Sequence, residues 1–237
     1  MSRRSGRPRP LLLASGTLVH GYRIVRYLGH GWEGIAYRAV EQLTGAVRVL
    51  KVYEVSNSRE FDYVCHVARS FERLAASGAV ARYHHMGEYR SIAARHYAYL
   101  VLDHIPGPPL ARLLTRKRTW GRRTACAIGL RLWSRLAAAH RLGRAIGDFE
   151  GGNNIVVAPG AWPLFCDIEA GTPTSPNTRY KQDVLLLAAL IHRLGRHARC
   201  VELVHLGSQL ARYRRGTVRR NTLSAELAHN GLDEILE

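Results

Sequence analysis

Three stretches of this chain carry residue types able to do chemistry at short spacing. IGDFEGGNNIVV at 146–157 sets Asp148, two glycines and two asparagines ahead of an apolar run, and reads either as an active-site loop or as a polar turn before a buried strand. LGHGWEGIAY at 28–37 places Gly29, Gly31 and Gly34 between two strand-like segments. In such a turn backbone N–H groups can approach phosphates with no Cβ in the way. By itself it reads first as a structural hairpin, and it lacks the helix that a dinucleotide-binding fold puts straight after the glycines. VRVLKVY at 47–53 alternates so that Val47, Val49, Lys51 and Tyr53 share one strand face. A lone ammonium among apolar neighbours needs a partner. Held near the α- and β-phosphates of a triphosphate, and itself held by a carboxylate from the next helix, it is what phosphoryl transfer requires at that place. Glu72 is the favoured carboxylate and Glu60 the second choice.

The elements that position these residues follow from periodicity. Tyr22 to Tyr53 alternates apolar and polar residues, broken at the glycine cluster and at LTG 43–45, which predicts three antiparallel strands. Residues 58–76, with Phe61, Val64, Val67, Phe71 and Leu74 every three or four positions, predict an amphipathic helix that ends at Gly78. Strands are expected around 80–88 and 97–103, and IPGPP at 105–109 is a stiff break where one lobe ends. Helical spacing then dominates. A helix over 120–142 stops at Leu142-Gly143, WPLFCD at 162–167 is a strand, and YKQDVLLLAALIHRL at 180–194, apolar almost all round, is a buried central helix. Further helices are expected at about 198–213 and 222–236, and no internal repeat is visible. The result is an α+β chain with a loose basic arm at 1–15, a first lobe at 16–104 and a mainly helical lobe at 105–237.

Length and composition agree with a packed domain or two small lobes: 237 residues, 46% of them hydrophobic. Thirty-five Lys and Arg against eighteen Asp and Glu give a net +17, which favours polyanions such as nucleotide phosphates, nucleic acid or an acidic surface. Arg116, Lys117, Arg118, Arg122, Arg123, Arg131, Arg135, Arg141 and Arg144 crowd the approach to the 146–157 stretch, and Arg212, Arg214, Arg215, Arg219 and Arg220 form a second cluster. Interspersed apolar residues make solvated helix faces the first reading of both clusters, and an anionic substrate or partner the second. Cys65, Cys126, Cys166 and Cys200 lack C-x-x-C spacing, and the histidines form no ligand pattern, so a zinc site is not expected. No apolar run reaches the roughly 18 residues that span a bilayer. The expectation is a soluble chain, cytoplasmic or secreted as an effector.

In this order the motifs resemble the protein-kinase-like superfamily over about residues 22–194. The resemblance implies a two-lobed fold that uses ATP and Mg2+. Gly29, Gly31, Gly34, Ala36 and Val49 would cover the nucleotide, with Lys51 and Glu72 on its phosphates. YLVLDHIPGPPLARLL at 99–114 resembles the fifth strand, hinge and following helix, so that the backbone at Asp103 and Ile105 would meet the adenine edge, Leu102 would line the pocket and Ile155 would pack beneath the base. Asp148, by the same resemblance, orients or deprotonates the acceptor hydroxyl, and Asn153, five residues on, binds magnesium. CDIEAG at 166–171 resembles the metal-binding Asp-Phe-Gly motif, with Asp167 as ligand, and Asp183 resembles the buried Asp that holds the catalytic loop.

The departures narrow the class. Gly147 stands where regulated protein kinases carry Arg, Glu150 where Ser/Thr kinases carry Lys, and sixteen positions separate Asp167 from Asp183 with no Ala-Pro-Glu between them. These features resemble compact atypical kinases, of bacterial type, without control by activation-loop phosphorylation. The expected activity is transfer of the γ-phosphoryl of ATP to a hydroxyl, foremost a protein Ser or Thr. One alternative acceptor is a small anionic molecule such as a lipopolysaccharide core sugar. Another reading is a pseudokinase that binds a partner or nucleic acid through its basic faces.

Overall fold

The computed structural model describes residues 13–31, 34–90, 95–115, 120–169 and 176–212. Most of the expected arm, Arg116 to Arg118, the cluster from Arg214 onward and the helix expected at 222–236 lie outside them. The chain divides into two compact units. One comprises residues up to Glu72 together with Arg82–His104, the other Arg73–Ala81 with everything from Ile105.

The first unit is an antiparallel sheet and one helix. Strands β1 (Leu18–Val19), β2 (Tyr22–His30), β3 (Ile35–Glu41), β4 (Val47–Glu54), β5 (Tyr83–Arg90) and β6 (His96–Asp103) lie in the order β1-β2-β3-β4-β6-β5. Alternation decides what each face carries. One face packs Ile24, Ile35, Tyr37, Leu50, Val52, Tyr97, Tyr99 and Val101 into a single buried cluster, each large side chain worth about 1.5–3 kcal/mol on burial. The chain ahead of β1 is pinned to this sheet by Leu13, whose N–H donates to Tyr37 Oη at 3.0 Å, and by Ser15, whose Oγ donates to Val25 O at 2.9 Å. The expected looseness of the arm therefore stops short of residues 13–15.

Helix α1 (Ser58–Ala75) begins on a reciprocal cap. The Glu60 N–H donates to Asn57 Oδ1 at 3.0 Å, and the Ser56 N–H donates to Glu60 Oε2 at 2.8 Å, so one orphan donor of the first turn and one N–H just ahead of the helix are satisfied at once. Its buried stripe is Val64, Val67, Ala68, Phe71 and Leu74.

The second unit holds α2 (Leu110–Leu114), α3 (Arg122–Arg141), a 3-10 turn (Glu150–Gly152), the hairpin of β7 (Ile155–Ala158) and β8 (Trp162–Phe165), α4 (Pro176–Ala198) and α5 (Val201–Arg212). Residues 79–81 belong here because Phe165 N donates to Ala79 O at 2.9 Å and Ala81 N to Phe165 O at 3.0 Å. The expectation for α4 needs correction. Leu187, Ala188, Leu190, Ile191 and Leu194 are buried, but Lys181, Gln182, Ala189, Arg193 and Arg196 are exposed, so the helix is amphipathic and offers a cationic outer face.

All four cysteines are free thiols. Cys126 and Cys200 are buried with sulfurs 3.4 Å apart, and burial together with Cys200 pushes the Cys126 thiol up to about 12, leaving it protonated and inert at neutral pH. Among the described residues no helix is long and apolar enough to cross a membrane.

Candidate functional site

In the first unit the strand register gathers the predicted nucleotide residues. Gly29 pairs with Ala36, Ala36 with Lys51, Lys51 with Leu100 and Leu100 with Met86, and Val49 pairs with Leu102. Directly paired residues of antiparallel strands share a face. Gly29, Ala36, Val49, Lys51 and Leu102 therefore stand together on the face opposite the tyrosine-rich cluster. The glycine turn closes through Gly31 N donating to Gly34 O at 2.9 Å. Gly34 is required there, because a Cβ would come within 2.9 Å of Val52 O.

Lys51 is 7% exposed, with Nζ 5.4 Å from the centre of the Tyr53 ring. The preferred partner, Glu72, is not brought to it. Glu72 is exposed on α1, and its charge acts on Tyr83, whose phenol is raised first by burial and then by that carboxylate. Glu60 serves the helix cap. The inward stripe of α1 carries no carboxylate at all beyond that first turn, which corrects the pairing expected from sequence. At the end of β6, Asp103 uses Oδ1 for His84 Nε2 at 2.7 Å and for Arg48 Nη1 at 3.4 Å, and its N–H donates to Arg82 O at 2.8 Å. Only its carbonyl could then face a base edge. Burial, with the charges of Arg38 and Arg26, lowers the His104 imidazole and keeps it neutral at pH 7.

In the second unit the 146–154 loop is built around one buried carboxylate. Asp183, 1% exposed on α4, accepts from Ile146 N at 2.8 Å, from Gly147 N at 2.8 Å and from His140 Nε2 at 2.8 Å. A buried charge is tolerable when it is so fully bonded. Sequence reasoning placed Asp183 here but missed His140; the available signal was a polar ring closing the apolar run of α3, with Tyr180 4.6 Å away as its ring neighbour.

Gly147 has φ +66, and a Cβ on it would fall 2.5 Å from Cβ of Glu169. The segment after β8 lies directly against the loop, with Glu169 N donating to Ile146 O at 2.8 Å. A side chain at this position would collide with Glu169.

Asp148 itself is exposed and holds φ +38, a conformation few side chains adopt. Asn154 stabilises it. Its Nδ2 donates to Asp148 O at 2.6 Å and reaches Asp148 Oδ2 at 3.2 Å. Asn153, assigned to magnesium on the five-residue spacing, is exposed, and its backbone N–H donates to Glu150 O at 3.5 Å. Gly151 at φ +65 and Gly152 at φ +83 bend the loop ahead of the two asparagines, and it is the sixth residue after Asp148, counted in sequence, whose amide bonds it. Asn154 also receives Cys166 N on its carbonyl at 3.0 Å, which fixes the neighbouring Asp167 to the same end of the β7–β8 hairpin. Asp167 is half-buried, with Oδ1 taken by the N–H of Ile168 at 2.9 Å.

Ile155 is fully buried in the core of its unit, whereas Val156 and its cross-strand partner Leu164 are half-buried on the other side of the hairpin. An apolar floor for a base would come from those two and not from Ile155. Among the described residues no three His, Cys, Asp or Glu side chains cluster as a metal cage. Asn154 and Asp167 supply hard oxygen donors of the kind magnesium takes in ones and twos, with phosphate oxygens completing its shell.

Comparison with known proteins bears on the fold. The crystal structure of the Mycobacterium tuberculosis PknI kinase domain, in a mutant form, matches with a TM-score of 0.59 and 20% identity, covering 78% of this chain and 77% of that one. The fold is protein-kinase-like. No protein-family model matches the sequence, and no curated protein does either. The likeness is one of fold.

Proposed function

We propose that this chain is an ATP-dependent phosphotransferase that moves the γ-phosphoryl group to a hydroxyl, foremost a protein Ser or Thr. One observation carries the reading: Asp148 is held in a strained backbone conformation by the Asn154 amide, on a loop anchored to the buried Asp183. Strain of that kind persists only where surrounding bonds over-determine it, and it collects at catalytic positions.

The roles follow from the chemistry of each group. Lys51 carries the positive charge that neutralises the α- and β-phosphates, and the glycine turn at 29–34 supplies backbone donors. Asn154 and Asp167 would hold magnesium. When bound, magnesium shields the charge that gathers on the phosphoryl oxygens in transfer. Asp148 accepts the proton of the acceptor hydroxyl or aligns it for attack, and its exposure leaves room for an acceptor. His140, through Asp183, keeps the loop in register without touching the reactants. Asn153 is not assigned to metal.

A second reading, a small-molecule kinase, draws on Gly147 and on the sixteen positions between Asp167 and Asp183, which leave little chain for docking a long peptide. Melting temperature measured with and without ATP tests whether nucleotide is engaged at all. Saturating ATP with magnesium is expected to stabilise the fold by about 2–4 kcal/mol, a rise of several degrees, and Asp167→Asn is expected to remove the part that depends on magnesium. No shift in either condition would leave a binding module without nucleotide chemistry.

A further inference from the structure

Two thiols meet where three helices of the second unit come together. Cys126 lies near the start of α3, and Cys200 lies in the short link between α4 and α5. They are 74 positions apart in the chain, yet their sulfurs are 3.4 Å apart, and both residues are at most 1% exposed. One turn further on α3 and α5 stay close, since a Cβ on Gly129 would fall 3.2 Å from Cδ2 of Leu203. Cys200 Sγ donates to Glu202 Oε2 at 3.2 Å, and the other oxygen of that carboxylate accepts from Arg122 Nη2. With its one proton engaged there, Cys200 presents lone pairs to Cys126, which donates to it. The sulfurs need approach by only about 1.4 Å to reach bonding distance. A turn of about 30° around each Cα–Cβ bond moves each sulfur by roughly half of that, at modest strain. Cys200 also stands outside both helices, next to Arg199 at φ +52, where the backbone is not held in a helical turn.

We propose that Cys126 and Cys200 are a disulfide site, closed when the chain folds in the presence of a small-molecule disulfide and joining α3 to the α4–α5 link. The chemistry is thiol–disulfide exchange. One Cys thiolate attacks the oxidant and displaces a thiolate, and the second Cys then attacks the mixed disulfide and displaces the other. The pair loses two protons and two electrons, and the oxidant ends as two thiols. Folding is the moment for this reaction. Once folded, the chain buries both sulfurs, and the Cys126 thiol, raised by burial and by Cys200, is a poor nucleophile. The bond would close a long loop running from α3 through the 146–154 segment to the end of α4, so it restricts the unfolded chain most strongly. The site stands independently of the phosphotransferase reading.

Refolding of the full chain from denaturant, either in mixed reduced and oxidised glutathione or in excess dithiothreitol, tests the site. The glutathione-refolded chain is expected to be lighter by two hydrogens and to yield a pair of peptides joined through Cys126 and Cys200 that reductant separates. Its thermal midpoint is expected to exceed that of the dithiothreitol sample by about 5–10 °C. Cys126→Ala is expected to abolish the difference between the two conditions, whereas the double variant Cys65→Ser, Cys166→Ser is expected to keep it. Comparing conditions within each protein separates the bond from any general effect of substitution. A second arm needs no refolding: the chain is produced in an oxidising compartment, alkylated and digested, and the same joined peptides are expected. Four alkylated cysteines in both preparations, glutathione retained on Cys126 or Cys200, or pairing through Cys65 or Cys166 instead, overturns the proposal.

Discussion

Asp183→Ala is expected to destabilise the protein by about 3–5 kcal/mol and to eliminate activity, although Asp183 lies outside the reacting groups. The carboxylate is 1% exposed and satisfies three donors, the N–H groups of Ile146 and Gly147 and the His140 ring. Alanine leaves the two buried N–H groups without an acceptor, at about 1–3 kcal/mol for each before relaxation, and frees the half-buried His140 ring. It also frees the loop, and Asp148 then relaxes from φ +38. Denaturant unfolding checks this: the midpoint should fall with the slope unchanged. Asp183→Asn, which keeps one oxygen acceptor, should lose less stability than Asp183→Ala. A change within about 1 kcal/mol for Asp183→Ala would show that the three bonds contribute little to the fold.

Asn154→Ala is expected to lower phosphoryl transfer by about two to three orders of magnitude, and Asn153→Ala by less than about tenfold. The difference follows from the bonds that each asparagine makes. Asn154 Nδ2 bridges Asp148 O and Oδ2, so alanine removes the group that fixes the Asp148 carboxylate and one of the two oxygen donors proposed for magnesium. Asn153 is exposed, and the amide that holds Asp148 is that of Asn154. Initial rates at saturating ATP would separate the two variants. The opposite ranking would return the metal to Asn153.

Much of this molecule was legible in its sequence because the signals were local. Alternation over Tyr22–Tyr53 placed Val49 and Lys51 on one strand face, and spacing of apolar residues located α1 and α3 to within two residues at their ends. The buried Asp183 was legible because a charge entering an apolar helix must have partners. What failed depended on backbone detail or on direction around an axis. Glu72 lies on α1 as expected but at an angle that points it to solvent, and a count of residues cannot supply that angle. Two glycines at positive φ lie between Asp148 and the asparagines, and the amide that bonds Asp148 is that of Asn154, one place beyond Asn153. Ile155 lies in the core of its unit and Val156 on the other side of the hairpin, as alternation along a strand requires. Glu169 filling the place beside Gly147 was out of reach, because that contact joins segments far apart in the chain.

The central claim is that the 146–154 loop transfers the γ-phosphoryl group of ATP. It is tested most directly by the initial rate of label transfer from γ-labelled ATP, with magnesium and Ser peptides, for wild type against Asp148→Asn. The substitution preserves size and the bonds to Asn154 while it removes the carboxylate that takes or aligns the proton. Wild type is expected to transfer label, and Asp148→Asn to retain less than about one-hundredth of that rate. Equal rates in the two proteins would contradict the assignment.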